Sequence, residues 1–290
     1  MKYIIYNKSA RHSKIFRCGG CYALAILFKD IKRLGEEVYL SHSAVNVPTL
    51  PPYEDKDFLK NNKVNLDECI TVYPEIIKGN PIKSKYVVRW LLHYPGHFNE
   101  SYQSWNKNTD LFFSYEDWIT KKSKEMGFRM DGRLTVTHFN HDVLKNQNRT
   151  RTGTCFTERK GALKGSNIND IPKDAKDITR LLKSGDIERM AEAFNKYESF
   201  YTYDEYTILS ILAALCGCNS IIASQSRTIE EFHKLKLDYW KYGIAYGFKD
   251  LERAKSTQHL LKDSLLEHER INFETVKDFI KFTKENILLK

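Results

Sequence analysis

Short apolar runs alternate with amphipathic stretches along the first 140 residues. Residues 2–6 and 38–40 have the pattern of strands, and the stretch between them has the spacing of an amphipathic helix that stops at Gly35. A strand–helix–strand unit of this kind predicts a parallel sheet. Further strands are predicted at 69–77, 84–96 and 110–117. The first of these is expected to run into a helix started by Pro74, and the second could also be a short helix.

The pattern then breaks and restarts. Residues 137–153 are polar, basic and poor in aliphatic side chains, which is typical of a linker. Beyond them, "TCFT", "ESFYTYD" and "CNSIIAS" have the pattern of strands and "DIERMAEAFNKY" that of an amphipathic helix, before an almost entirely helical tail. We therefore predict an α/β protein with two Rossmann-like domains, 1–140 and 150–290, a cleft between them, and the helical tail in the second.

The segment "YDEYTILSILAALCGCNSIIAS", residues 203–224, combines a polar start with a buried helix. Ile208, Leu212 and Leu215 recur at helical spacing, and Gly217 stands where a left-handed C-cap belongs. The tyrosines and the acid at the start of this helix need a separate explanation.

Composition restricts the partners. The formal net charge is +9, which suits nucleic acid, phosphorylated substrates or an anionic membrane surface, but the lysines are scattered along the chain. No secretory signal and no run of roughly 20 apolar residues is visible, so we expect a cytoplasmic protein, at most peripheral at the inner face of a membrane. No helix-turn-helix, RNP or zinc-finger signature supports a nucleic-acid partner.

The six cysteines include a CxxC (Cys18 and Cys21) and a CxC (Cys216 and Cys218), so a metal or redox site has to be considered. Both pairs flank glycines at element boundaries, and no second CxxC lies at zinc-ribbon spacing. Free thiols in a reducing compartment are the simpler interpretation.

The polar start of the second-half helix is a candidate ligand site. In doubly wound sheets, ligands bind at the carboxyl ends of strands, where helix N-termini present backbone N–H groups. A threonine hydroxyl would suit a phosphate and an acid would suit a ribose diol. The alternative is that Asp204 is an ordinary N-cap and that the tyrosines pack in the core. The candidates for donor binding are Tyr203, Asp204, Tyr206 and Thr207.

The same segments carry a family resemblance. "YD..T" leading into "AALCGC", with "RCGGCYALAILFKDIKRLGEEVYL", "VYPEIIKGNP", "VVRWLLHYPG", "CFTERKG" and "KYGIAYGFKDLERAKSTQHLLKD", resembles GT-B glycosyltransferases of bacterial and viral polysaccharide synthesis. Many GT-B enzymes have two glutamates flanking this helix. Here the first acid position is kept as Asp204 and the second is Leu212, unlike the common retaining subgroup.

The resemblance implies roles for basic residues. Arg159 and Lys160, in "TERKG", would face the diphosphate of a nucleotide-sugar, although a solvated basic turn is the alternative. No convincing DxD motif occurs, so we expect no cofactor and no metal, with the phosphates neutralised by Arg, Lys and a helix dipole.

An inverting transfer also needs a base near the acceptor hydroxyl, whereas a retaining transfer need not use one, and the sequence does not decide between the two. Glu75 is the first candidate because it directly follows a strand and Pro74, and His12 and His93 are rivals. Gly19 and Gly20 would let a backbone loop approach the donor or acceptor, or would simply form a tight turn.

The sequence thus favours a glycosyltransferase that moves a sugar from a nucleotide-sugar to a glycan or lipid-linked acceptor in surface polysaccharide synthesis. The alternatives are a nucleic-acid-binding basic α/β protein and another nucleotide-dependent Rossmann enzyme. The loop "RCGGCYA" lacks the GxGxxG spacing of NAD sites, which argues against the NAD form of the second alternative.

Overall fold

The computed structural model of the chain describes residues 1–7, 19–41, 65–157, 171–184, 186–205, 207–223, 227–235 and 238–288. It is an α/β structure with two parallel sheets, as predicted. The chain divides into two compact units. Unit 1 comprises Met1–His138 and Glu269–Lys290, and unit 2 comprises Phe139–His268. The sequence analysis assigned the whole helical tail to the second domain, whereas residues 269–290 pack within the first unit.

Unit 1 is built on a sheet of six described strands, all parallel to their neighbours, in the order β2-β1-β3-β4-β5-β6. Their bounds are β1 Lys2–Tyr6, β2 Glu37–Ser41, β3 Cys69–Pro74, β4 Tyr86–Leu91, β5 Leu111–Ser114 and β6 Gly132–Arg133. Strands β1 and β3 are neighbours, while β2 lies on the other side of β1. The direction of winding therefore reverses between β1 and β3.

Three described helices belong wholly or partly to unit 1: α1 Gly19–Arg33, α2 Asp117–Glu125 and the end of the last helix, α8 Leu261–Leu288. The α1 helix is rich in Ala and Leu, which favour helix, and it buries nearly every side chain from Ala23 to Phe28. Phe279 of α8 is fully buried, with its ring centroid 5.0 Å from that of Phe113 and 5.9 Å from that of Tyr3. The first and last parts of the chain thus share one apolar core.

Unit 2 is built on a second parallel sheet, with the described strands in the order β11-β10-β9-β7-β8. Their bounds are β7 Thr154–Thr157, β8 Lys176–Asp177, β9 Ser199–Thr202, β10 Asn219–Ile222 and β11 Ile244–Tyr246. The described helices of this unit are α3 Thr179–Ser184, α4 Ile187–Lys196, α5 Ile208–Leu215, α6 Ile229–Leu235 and α7 Leu251–Thr257, followed by the start of α8. Here the winding reverses between β7 and β9.

Short 3-10 turns connect several of these elements, at Leu66–Glu68, Ser101–Ser104, Asp238–Lys241, Phe248–Asp250 and Gln258–Leu260.

The predicted linker belongs structurally to unit 2 from Phe139 onward. Asn195 of α4 is fully buried and holds this segment, since its side chain accepts from the Gln147 N–H at 2.8 Å and donates to the Lys145 carbonyl at 3.0 Å. Residues 142–153 contain no described helix or strand, yet their backbone is fixed by such side-chain bonds.

The C-cap of α5 has the predicted left-handed glycine. Gly217 has φ +83°, and its N–H bonds to the Ala214 carbonyl at 3.0 Å. The guanidinium of Arg151 donates to the Cys216 carbonyl at 2.7 Å, and a Cβ added at Gly217 would lie 2.7 Å from it and from the Asn146 side chain. Both the backbone angle and the close approach therefore require glycine here.

Two element boundaries differ from the prediction. Pro74 ends strand β3 and does not start a helix, because Glu75–Ile77 form a turn in which the Ile77 N–H bonds to the Pro74 carbonyl at 3.1 Å. The helix predicted to start near Asp204 begins only at Ile208. Its polar start is therefore the connection from β9 and not a helical turn.

Candidate functional site

The carboxyl ends of the parallel strands are the candidate ligand sites in both units. In doubly wound sheets, ligands bind at this edge, at the point where the winding reverses. In unit 1 that point lies at the ends of β1 and β3, next to Asn7 and Glu75. In unit 2 it lies at the ends of β7 and β9, next to Thr157 and the segment 203–207. The predicted site residues that the structure describes lie at these two edges.

Three of the predicted donor-binding residues lie in the described part of the segment after β9: Tyr203, Asp204 and Thr207. Tyr203 is 4% exposed and packs in the unit 2 core. Asp204 is half-buried, and its backbone N–H donates to the Thr202 hydroxyl at 3.2 Å. Thr207 is the N-cap of α5, with its hydroxyl oxygen accepting from the Leu209 N–H at 3.3 Å. The N-cap is therefore Thr207, whereas the capping alternative had expected Asp204. Tyr203 packs as that alternative expected.

A carboxylate that the sequence analysis did not select lies beside these residues. Glu205 is buried, and its carboxylate accepts from the Tyr246 hydroxyl at 2.6 Å and pairs with the Arg227 Nε at 3.2 Å. The Arg227 backbone N–H donates in turn to the Tyr246 hydroxyl at 3.1 Å. Glu205 follows β9, Arg227 follows β10 and Tyr246 ends β11, so these bonds connect three strand ends at one edge of the sheet. The Arg227 side chain remains 37% exposed, and its guanidinium is oriented by the bond to Glu205.

A second ionic group supports this cluster from within unit 2. The Asp250 carboxylate accepts from the Tyr246 N–H at 2.9 Å and pairs with Arg253 at 2.6 Å and His233 at 3.1 Å. Burial opposes the charge on Asp250, yet the bonds from Arg253 and His233 hold its pKa well below the usual range. Asp250 is therefore an ionised anchor that fixes the backbone of β11 where Tyr246 meets Glu205.

At the unit 1 edge, Glu75 follows β3 directly. It is 8% exposed, and its Oε2 accepts from the Leu92 N–H at 3.0 Å. This bond connects the end of β3 to the residue before His93, so the structure brings Glu75 and His93 to neighbouring strand ends.

The hydrogen bonding of His93 assigns its tautomer. The Tyr94 backbone N–H, which can only donate, bonds to His93 Nδ1 at 3.0 Å. Neutral His93 therefore carries its proton on Nε2. In that state its Nε2 is a hydrogen-bond donor.

Glu116 is a second carboxylate at this edge that the sequence analysis did not select. It is the N-cap residue of α2, just after β5, and burial raises the pKa of its side chain although Arg133 acts in the opposite direction. A half-buried acid with a raised pKa is better matched to proton transfer near neutral pH than an exposed one. The sequence signal for it was its position two residues after a strand.

The predicted glycine loop differs from expectation. Gly19 and Gly20 are the first residues of α1, and a Cβ added at Gly19 would meet no described heavy atom within 4 Å. They form a helix start beside the reversal point of unit 1 and not a separate turn. Four other predicted site residues lie outside the described residues: His12, Arg159, Lys160 and Tyr206.

Three further properties of the described residues bear on function. Within the described part of the chain, no group of three or more His, Cys, Asp or Glu side chains has an arrangement that could hold a metal ion. The described cysteines are unbridged, and burial raises the pKa of the Cys216 thiol to about 12. None of the described helices combines the length and apolar content needed to cross a bilayer.

No protein-family model and no curated protein matches the chain.

Proposed function

We propose that the protein is a GT-B glycosyltransferase that moves a sugar from a nucleotide-sugar to a glycan or lipid-linked acceptor in surface polysaccharide synthesis. The observation that carries this proposal is the division of chemistry between the two sheet edges. The edge of unit 2 has an oriented, partly exposed arginine, and the edge of unit 1 has one buried carboxylate, Glu75, and one half-buried carboxylate, Glu116. Phosphate recognition and proton removal, the two tasks of an inverting transfer, need these two kinds of group.

In the proposed reaction, Arg227 contacts the diphosphate of the donor. Its Nε is bonded to Glu205, which fixes the plane of the guanidinium at the carboxyl ends of β9 to β11. Planar N–H groups suit phosphate oxygens, and a cation there stabilises the charge that develops on the leaving nucleoside diphosphate. Glu205 is a positioning residue in this scheme. The predicted Arg159 and Lys160, which follow β7 in the sequence, would add further positive charge.

Glu75 is the proposed base. Its buried position at the reversal point of unit 1 and its fixed Oε2 suit proton removal from an acceptor hydroxyl. His93 is better suited to donate a hydrogen bond through Nε2, and Glu116 is the rival base.

The donor side is tested by measuring the affinity for UDP, GDP, CMP and dTDP, beside NAD and a single-stranded oligonucleotide, by calorimetry with and without divalent metal. Arg227→Met should weaken binding of the preferred nucleotide about 10–100-fold, because a charge-assisted hydrogen bond is worth roughly 1.5–3 kcal/mol. Lys196→Met is the matched control. It also removes one positive charge, but at the end of α4, which leads into the start of β9 and not into its carboxyl end. Tighter binding of NAD or of the oligonucleotide than of any of these nucleotides would reject the proposal.

The acceptor side is tested with Glu75→Gln. The amide oxygen can still accept from the Leu92 N–H, so the fold and the nucleotide affinity should be retained. Turnover should fall about 10²–10⁴-fold, the usual contribution of a positioned base. If Glu116→Gln lost turnover and Glu75→Gln kept it, the base would be Glu116.

A further inference from the structure

Five aromatic side chains meet just beyond the carboxyl ends of β4 and β5 in unit 1. We call this cluster the aromatic platform: His93, Tyr94, His97, Phe98 and Trp118. The His93 ring lies at its centre, stacked on His97 at a centroid distance of 3.5 Å. Its centroid is also 5.0 Å from that of Trp118 and 5.5 Å from that of Phe98, both edge-on.

The platform is not part of the folding core. Phe98 is 64% exposed and Trp118 is 51% exposed, whereas Trp105 and Phe112 are buried in a separate aromatic cluster of the same unit. Single exposed apolar side chains are normal, but large aromatics gathered at one place mark a binding surface.

The platform is held rigidly next to Glu75. The Leu92 N–H, one residue before His93, donates to the Glu75 carboxylate at 3.0 Å. The far side of the same loop is fixed to the neighbouring Ile76, whose carbonyl accepts from Asn99 Nδ2 at 3.1 Å and from the Ser101 hydroxyl at 2.9 Å. A surface fixed at both ends loses little conformational entropy when a ligand binds.

The charged groups around the platform distinguish between two kinds of ligand with a flat face, a phosphorylated nucleotide and a neutral sugar. Glu75 and Glu116 follow the strands on either side of β4, and Glu116 precedes Trp118 by two residues. Arg133 is one cation of this region and is paired with Asp117 at 3.3 Å, and Lys121 and Lys122 follow Trp118 by three and four residues on α2. A phosphorylated nucleotide would bring negative charge towards these carboxylates, whereas a neutral polyol can donate hydroxyl hydrogen bonds to them.

We propose that the aromatic platform binds a pyranose ring of the acceptor glycan. One C–H face of the sugar stacks on Trp118 and Phe98, and its rim hydroxyls bond to Glu75, Glu116 and the Nε2–H of His93. The inference rests on the proposed function and makes it more specific: the acceptor presents a sugar ring at the site, and not only a lipid phosphate or an amino-acid hydroxyl.

The experiment is saturation-transfer NMR of the full chain with a panel of methyl α- and β-pyranosides of glucose, galactose, mannose and N-acetylglucosamine. Ring C–H protons of at least one of them should receive saturation. Trp118→Ala and Phe98→Ala should each weaken its binding about tenfold, the effect of losing one stacking aromatic. Trp118→Phe should retain most of the affinity for that pyranoside.

The control variant is Ile271→Ala, which removes another exposed apolar side chain of unit 1, 47% exposed on α8, and should bind the pyranoside as the unmodified protein does. Absence of saturation with every pyranoside, or equal binding by Trp118→Ala, would overturn the proposal. The proposal would also be overturned, in favour of a lipid-binding surface, by a second result: the protein binds no pyranoside but sediments with anionic phosphatidylglycerol vesicles, and Trp118→Ala no longer does.

Nucleotide affinity measured on the same samples separates the two proposals. Nucleotide binding without pyranoside binding would reject only the platform. Pyranoside binding without nucleotide binding would leave a sugar-binding surface and reject the glycosyltransferase.

Discussion

Asp30, in the last part of α1, is a half-buried carboxylate whose environment opposes its charge. Burial raises the pKa of this side chain to about 6, although His138, Arg33 and Lys29 act in the opposite direction, and Glu269 adds to the rise. An unfolded aspartate titrates near pH 3.9, so the folded state holds this proton more tightly than the unfolded chain does. The contribution of Asp30 to stability is therefore greatest below about pH 4 and is lost as the pH rises to about 6.

Asp30→Asn should remove this dependence. We expect the free energy of unfolding of the variant to vary less than that of the unmodified protein between pH 4 and pH 6, and to exceed it at pH 7. Urea unfolding followed by tryptophan fluorescence at pH 4, 5, 6 and 7 measures both quantities. Glu125→Gln, at a carboxylate 52% exposed on α2, is the control and should leave the profile unchanged. Parallel profiles for Asp30→Asn and the unmodified protein would contradict the assignment.

Residue types at strand ends were predictable from the sequence, but their pairing was not. The sequence analysis selected Asp204 beside β9 because an acid follows a strand there. The carboxylate bonded to Arg227 and Tyr246 is that of the next residue, Glu205. Which of two adjacent acids turns towards the sheet depends on where the connection leaves the strand, and neither Arg227 nor Tyr246 is near Glu205 in sequence.

At the scale of elements, the hydrophobic pattern located most helices and strands and missed the shortest ones. Strand β11 has three residues, too few for an alternating pattern, so Tyr246 was not recognised as the end of a strand. The prediction that a helix starts at Pro74 was wrong for a different reason. β1 pairs with Cys69–Val72 only, so Pro74 lies beyond that ladder, at the end of β3, where its missing N–H removes no bond to β1.

The last helix gives the element-scale prediction. Phe279 of α8 is fully buried against Tyr3 and Phe113, so Phe279→Ala should destabilise unit 1 by about 3–5 kcal/mol, the usual cost of truncating a core phenylalanine. Hydrogen exchange should show faster exchange in β1 and β5, while the amides of β9 in unit 2 keep their protection. Ile271→Ala, in the exposed part of the same helix, should change stability by less than about 0.5 kcal/mol. Equal loss of protection in both units would contradict this division.

At the scale of the whole chain, the restart of the strand–helix pattern after residue 153 was enough to predict two parallel sheets. The partner of the tail was not predictable. The apolar face of a helix indicates that the helix packs against something, but not against which sheet. In addition, α8 continues without a break from unit 2 into residues assigned to unit 1. Segment 139–153 was similarly ambiguous, because its polar side chains bind backbone groups that no pattern identifies.

The membership of residues 269–290 in unit 1 also sets the order in which the protein matures during translation. Domains generally fold as they leave the ribosome, with the N-terminal one first. Here all of unit 2 has been synthesised by His268, whereas Tyr3 and Phe113 cannot be covered by Phe279 until the chain has grown beyond that residue. At the usual 5–20 residues per second, on the order of 10 s passes while residues 139–268 are added. The nascent N-terminal sheet is incompletely covered throughout that interval, and the unit encoded second completes its core first.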